Sequence, residues 1–301
     1  MPLTQWGLLL FLSLLWGGSF LFIGMAVHEL PPVTLVLARV GLAALALLPV
    51  VYATGLRLPS GMRAWRPFMV MAILNNIIPF LLIVRGQKEI ASGLASVLNA
   101  TTPLFAVIIA HLFTTDEKLT AGRLAGVLTG IAGVGILVGP EAIFGQPANL
   151  FGMMLILGAA CSYGLSALWG RRFKATPPLV TSTSQLICST AVLLPLALAI
   201  DKPWTLALPS SSAVSAVIAL ALLSTALAYI VFFRIMAVSG PTNTVLVTLL
   251  IPVSAIAFGT VFLHEVLLPR HVAGALVIGA ALVILDGRVF SLLGRRSAPP
   301  A

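Results

Sequence analysis

Ten runs of 17 to 25 mostly apolar residues, at 5–27, 33–53, 67–84, 90–113, 122–138, 151–169, 179–200, 213–237, 242–263 and 272–290, take up nearly all of this 301-residue sequence. A helix crosses the hydrocarbon of a bilayer with about 20 residues, and helices and closed barrels alone satisfy their backbone there. The runs predict an all-α integral membrane protein of ten transmembrane helices. A mean hydropathy of +1.11 and a charged fraction of 8% stand far from those of a soluble domain. The first run lacks a basic segment ahead of it and is longer than the core of a secretory leader, so it reads as a retained span.

The connectors are short, and no glycine-rich phosphate loop occurs in them, which argues against an ATP-driven pump. The four histidines and eight acids are dispersed, without an HExxH pair or a convergent catalytic set. No catalytic residue, metal ligand or cofactor is expected, and the chain reads as a non-enzyme. Cys161 and Cys188 fall inside spans without metal or redox spacing and read as packing residues.

The net charge of +9 raises nucleic acid as a partner, but the positions of the charges point to topology. With a cytoplasmic amino terminus, twelve Lys and Arg residues face inward against four facing outward (Arg85, Lys88, Lys202 and Arg270). By the positive-inside rule both termini are cytoplasmic. The expected surroundings are the lipid bilayer of the cell's inner (plasma) membrane, with no nucleic-acid partner.

Polar residues, glycines and prolines recur at an interval near 147. "WGGSF" at Trp16 matches "YGLSA" at Tyr163, and Leu48-Pro49 matches Leu194-Pro195. Arg85 precedes Pro103 by 18 residues, as Arg234 precedes Pro252. Glu117 and Glu265 each precede an Ala-Gly pair by eight. The chain divides into a five-helix repeat at 1–145, a second at 146–293, and a tail at 294–301. Five is odd, so the second repeat enters the membrane from the opposite side, giving inverted repeats as transporters use them.

Proline removes the hydrogen bond to the carbonyl four residues earlier. For Pro79, Pro103 and Pro252 those carbonyls belong to Asn75, Asn99 and Thr248, which also carry polar side chains. The three prolines are hinge candidates. Asn75, Asn76, Asn99, Thr102, Asn243, Thr244 and Thr248 either line a central cavity or act as interhelical hydrogen-bonding glue. Ser224, Thr225 and Tyr229 add polar groups in the eighth span, and Trp16, Ser19, Phe80 and Tyr163 complete the candidate cavity wall. Arg39 is a cation well inside a span, about 9 Å from its outer end at 1.5 Å per residue. It either binds a substrate carboxylate or phosphate, or snorkels and holds a gate. The acids all lie in loops or near span ends, so no proton relay is evident and facilitative movement is expected. Gly126, Gly130, Gly274 and Gly279 mark spans five and ten as close-packed scaffold, joined within the fold or across a weak homodimer.

The "WGGSF" opening, "LARVGLAAL" with Arg39, "LNATTPLF", and "DEKLT" followed by "AGVLTGIAGVGILV" resemble the EamA-type branch of the drug/metabolite transporter superfamily. The resemblance covers essentially the whole chain and is better in the first half. It implies a ten-helix metabolite exporter working by alternating access, with bacterial exporters of aromatic and neutral amino acids as the functional analogy. The second half departs from the pattern: Gln185 stands where Arg39 would repeat, and Tyr163 replaces the tryptophan. The alternative within the same fold is a proton-coupled exporter of drugs, cations or other metabolites. Nucleotide sugars would call for more buried cations than Arg39 supplies, and cationic drugs for a buried acid.

Overall fold

The computed structural model describes residues 3–115, 118–144, 147–244 and 246–286, and the side chains of all of these but 140–144, 147, 148, 240–244 and 286. Among the described residues the chain is helical, without strands. We number the helices α1 (Leu3–Ala26), α2 (Pro32–Ala53), α3 (Met62–Gly86), α4 (Ser92–Phe113), α5 (Ala121–Phe144), α6 (Pro147–Gly170), α7 (Pro178–Asp201), α8 (Ser211–Ala221 continuing through Leu222–Leu227 and Ala228–Thr244), α9 (Val247–Phe262) and α10 (Pro269–Asp286). Eight of these are long and apolar enough to cross a membrane, and α9 and α10 are shorter apolar helices. Pro32, Pro147, Pro178 and Pro269 open their helices, where the missing N–H costs nothing and φ is already set.

Two boundaries differ from the sequence pattern. The run at 122–138 continues as helix to Phe144, but Gly139, with φ of 65°, interrupts it; only glycine adopts that backbone without strain. The backbone of Asn243 and Thr244 belongs to the end of α8 instead of the ninth span, and their side chains lie outside the described residues. Glu117 and the tail at 294–301 also lie outside them.

Large apolar residues such as Leu45, Leu112, Ile131 and Leu276 are exposed on outward helix faces. Helices apolar on every side fit a lipid solvent. Inside, one continuous core runs from Phe20 and Val40 through Phe80, Leu98 and Leu186 to Ile278.

The principal packing partners are α1 with α8 and α9, α6 with α3 and α4, α2 with α7 and α8, α3 with α7, α4 with α9, and α5 with α10. Exchanging α1–α5 for α6–α10 converts this set into itself. Two glycines show the exchange at atomic level. A Cβ on Gly17 would stand 2.9 Å from the Ala255 nitrogen of α9, and one on Gly164 would stand 3.0 Å from the Ala106 nitrogen of α4. Ser254 Oγ closes the first contact by donating to Ser13 O at 2.7 Å. The α5–α10 seam is equally tight: a Cβ on Gly126 would meet Leu285 at 2.8 Å, and one on Gly274 would meet the Gly133 carbonyl at 2.9 Å. Gly130 instead faces Leu104 of α4, and Gly279 faces open space. The seam lies within one chain.

The three candidate hinge prolines sit in different local structures. Pro79 follows a π-helical segment, Ile73–Ile77, that carries Asn75 and Asn76. At Pro103, α4 breaks into Ser92–Asn99 and Thr102–Phe113. The carbonyl of Asn99, which proline leaves without its donor, accepts the Thr102 hydroxyl at 2.7 Å. Helix α9 runs unbroken through Pro252; it begins only five residues earlier, so the lost bond falls in its first turns. Of two further π-helical segments, Ala197–Asp201 closes α7 and Leu222–Leu227 interrupts α8 without a proline.

Candidate functional site

Arg39 of α2 is 6% exposed. Its Nε–H donates to Thr225 Oγ1 at 3.0 Å, and its guanidinium carbon lies 3.7 Å from the Phe80 ring centroid. The Thr225 hydroxyl in turn donates to Leu220 O at 2.9 Å, five residues back, satisfying a carbonyl displaced by the wide turn of α8. Tyr163 and Tyr229 stand close enough to interact electrostatically with the Arg39 charge. Both tyrosines pack on the core yet retain accessible surface. The terminal nitrogens of Arg39 make no hydrogen bond to protein among the described residues, leaving donors of a planar fork suited to a carboxylate.

Beside this cation lies a neutral network. Asn75 Nδ2 donates to Gln185 Oε1 at 3.1 Å, and Asn75 Oδ1 accepts Ser166 Oγ at 3.0 Å. Tyr229 also interacts with the Asn75 side chain. Asn76, fully buried, donates from Nδ2 to Ser189 Oγ at 3.0 Å, while its Oδ1 has no partner. Ser162 Oγ donates to Leu74 O at 2.7 Å. The wide turn of α3 thus presents Asn75 and Asn76 to α6 and α7, as the wide turn of α8 presents Thr225 to α2. In this pairing Gln185 takes the place that Arg39 holds in the other half, so one half-site is cationic and the other neutral.

Not every candidate converges here. Trp16 packs against Phe232 of α8, with ring centroids 5.4 Å apart, in a separate apolar cluster. The Ser19 hydroxyl is spent locally on Trp16 O at 2.6 Å. Thr102 is engaged with Asn99 O, and Asn99 Oδ1 is buried without a partner. Thr248 is half-buried near the start of α9 and is engaged. Ser166, Ser162 and Ser189 belong to the network without having been singled out from the sequence. The signal for Ser189 lay in "TSTSQLICST", 181–190, a hydroxyl-rich stretch in an apolar span whose Ser182, Thr183, Ser184 and Gln185 are all buried.

A cleft of about 130 Å³ opens between α4, α5 and α6, lined by alanines and by Arg123 and Arg171. It lies toward the end of the bundle that carries the N terminus. Among the described residues no group of three His, Cys, Asp or Glu side chains is placed to hold a metal ion.

Comparison with known proteins agrees with this architecture. The chain is 25% identical to the uncharacterized transporter YoaV of Bacillus subtilis over 88% of this chain and 91% of that one. It is 26% identical to the uncharacterized inner membrane transporter YedA of Escherichia coli K12 over 96% and 93%. A probable amino-acid metabolite efflux pump of Salmonella typhimurium is 26% identical over 97% and 96%. A crystal structure superimposes with a TM-score of 0.65 at 18% identity, covering 92% of this chain and 96% of the other, which shows a shared fold. The EamA-like transporter family matches twice, at residues 5–139 and 150–285. The chain therefore belongs to the EamA-like transporter family and is a membrane transporter.

Proposed function

We propose that this transporter exports small organic metabolites, most directly amino acids including aromatic and neutral ones, across the inner membrane by alternating access without obligatory proton coupling. The observation that carries this reading is Arg39: a buried cation whose one hydrogen-bond partner among the described residues is a hydroxyl, flanked by Phe80, Tyr163 and Tyr229. A carboxylate is the natural ligand of its free donors, the aromatic rings accept an apolar or flat side chain, and Asn75, Gln185 and Ser166 offer neutral groups to a substrate amine. The name of the Salmonella relative and the inner-membrane name of YedA support the same substrate class and location.

Alternating access rests on the internal repeat. Two family matches in one chain and packing partners that exchange between halves support two five-helix units, and the odd helix count makes them inverted. The distribution of Lys and Arg supports cytoplasmic termini.

The test is counterflow of a labelled amino-acid panel in proteoliposomes of the purified protein, with and without an imposed pH gradient. Saturable exchange indifferent to the gradient is expected. Accumulation driven by the gradient would replace the facilitative reading with proton coupling, and absence of amino-acid exchange would move the substrate to another metabolite class.

A further inference from the structure

Three carboxylates perform one structural task at one end of the bundle, the end opposite the N terminus. Asp201 Oδ2, closing α7, accepts both the backbone N–H of Thr34 at 2.7 Å and its hydroxyl at 2.8 Å. Glu29, between α1 and α2, accepts the backbone N–H of Ser210 at 2.6 Å and its hydroxyl at 2.7 Å. Glu265, between α9 and α10, accepts the backbone N–H of Ser92 at 2.7 Å, its hydroxyl at 2.9 Å and the Gly93 N–H at 3.1 Å. In each clasp a Ser or Thr at the start of a helix donates both of its protons to an acid 167 to 181 residues away. Every clasp joins one family match to the other.

A helix start needs acceptors for its free N–H groups, and an anion there is favoured by the helix dipole. A local Ser, Asp or Asn normally supplies the acceptor. Here Pro31 and Ala91, the residues in the capping positions of α2 and α4, make no side-chain cap, and the acid arrives from the opposite half. Stability alone would be served by a local cap. A cap from the other half makes the starts of α2 and α4 depend on the halves staying together at this end; α8 keeps a local cap as well, Ser210 Oγ accepting the Ala213 N–H at 3.1 Å. The seat for Glu265 is shaped for it: a Cβ on Gly259 of α9 would collide with Glu265 Oε2 and approach Ser92 Oγ to 2.8 Å.

Two hydrogen bonds between halves at the opposite end are neutral: Ser239 Oγ to Gln5 Oε1 at 3.2 Å and Trp169 Nε1 to Pro67 O at 3.0 Å. The cleft with Arg123 and Arg171 opens toward that end. Four acids have described side chains, and the fourth, Glu89, pairs with Arg85 within its own half.

We infer that Glu29, Asp201 and Glu265 form the gate of the transporter at the face opposite its N terminus, and that the three clasps release together when the halves part there. This rests on the alternating-access reading of the previous section. Water replaces the carboxylates as acceptor at the three helix starts in the open state, so release exposes satisfied groups and not orphaned ones.

The experiment joins the gate covalently. In a background with Cys161→Ala and Cys188→Ala, Thr34→Cys and Asp201→Cys are introduced together, and the two thiols are oxidised to a disulfide with copper-phenanthroline and air. Cross-linked protein is expected to lose at least 10-fold in counterflow and to recover it with dithiothreitol. Cross-linked protein that still exchanges at the reduced rate would overturn the gate. A second readout needs no substrate. Ser166→Cys in the same background is labelled by a membrane-impermeant methanethiosulfonate applied from the clasp side, with and without Glu29→Gln, Asp201→Asn and Glu265→Gln. At least a several-fold faster labelling in the triple variant is expected, and an unchanged rate would overturn the proposal whatever the substrate proves to be.

Discussion

Arg39 and Thr225 lie 186 positions apart and meet through one hydrogen bond from Nε to Oγ1, which joins α2 of the first family match to the wide turn of α8 in the second. The bond holds the guanidinium over Phe80 and leaves its terminal nitrogens without a hydrogen bond to protein among the described residues. Replacing Arg39 with Gln removes the charge while keeping a donor. A hydrogen bond to a charged group is worth about 1.5 to 3 kcal/mol, or roughly 10- to 150-fold in affinity. Arg39→Gln is expected to weaken amino acids by that factor and their decarboxylated amines far less, measured by competition in counterflow. Equal loss for acids and amines would assign Arg39 to holding the helices together.

Asn75 is the hub of the neutral half-site, with Gln185 and Ser166 both bonded to it. Asn75→Ala leaves the Gln185 amide short of a partner, while the Ser166 hydroxyl keeps Tyr163 O at 2.8 Å; the orphaned amide costs about 1 to 3 kcal/mol in the general case and nearer ~0.6 kcal/mol per pair inside membranes. A destabilisation of about 1 to 3 kcal/mol is expected in detergent unfolding. Asn75→Ala combined with Gln185→Leu is expected to be more stable than Asn75→Ala alone, because the second change removes the orphaned amide. Additive losses in the double variant would show that the two side chains do not share their bond.

Much of the architecture is written in the chain because a bilayer admits few solutions. The apolar runs, the interval near 147, and the coincidence of Pro79 with Asn75 follow from length, period and proline chemistry, and the structure has ten apolar helices with a wide turn at that place. Asn99 with Thr102 was legible as a place of broken backbone, but not that Thr102 spends its hydroxyl closing the break. Trp16 carried the motif most visible to the eye, yet it packs on Phe232, since an aromatic residue on an apolar helix gives no sign of which face it occupies. Glu29, Asp201 and Glu265 read as loop acids; their partners stand more than 160 residues away, and no local pattern announces such a pairing. Gln185 looked like a lost arginine, whereas its role depends on which side chain faces it across the two halves.

The glycines of α5 and α10 separate by environment. A methyl on Gly274 would press on the backbone of both Leu137 and Gly133 at 2.9 Å, while one on Gly279 meets nothing within 4 Å. Gly274→Ala is expected to force the helices apart and cost about 1 to 3 kcal/mol, the usual range for overpacking. Gly279→Ala is expected to be neutral or to stabilise by up to about 1 kcal/mol through helix propensity. Thermal unfolding of the two variants side by side checks this, and a larger loss from Gly279→Ala would mean that α10 meets a second copy of the chain at that face.

The Glu29 carboxyl gives the clasp end a defined response to acid. The backbone N–H and hydroxyl of Ser210 stabilise its charged form and hold it below the ordinary carboxylate value of 4.5. A group with a depressed pKa in the folded state adds stability that is complete above its unfolded value and is lost as pH falls through the folded one. The Glu29 contribution is therefore constant from neutral pH to about pH 5 and disappears only in stronger acid. Glu29→Gln is expected to leave the pH dependence of unfolding unchanged between pH 5.5 and 7.5 and to flatten it below 4.5. With its pKa held low by Ser210, Glu29 is expected to stay charged at ordinary external pH while the clasp is closed. A pH profile of counterflow that shifts between 5.5 and 7.5 on Glu29→Gln would reverse that conclusion and place Glu29 among the proton-carrying groups.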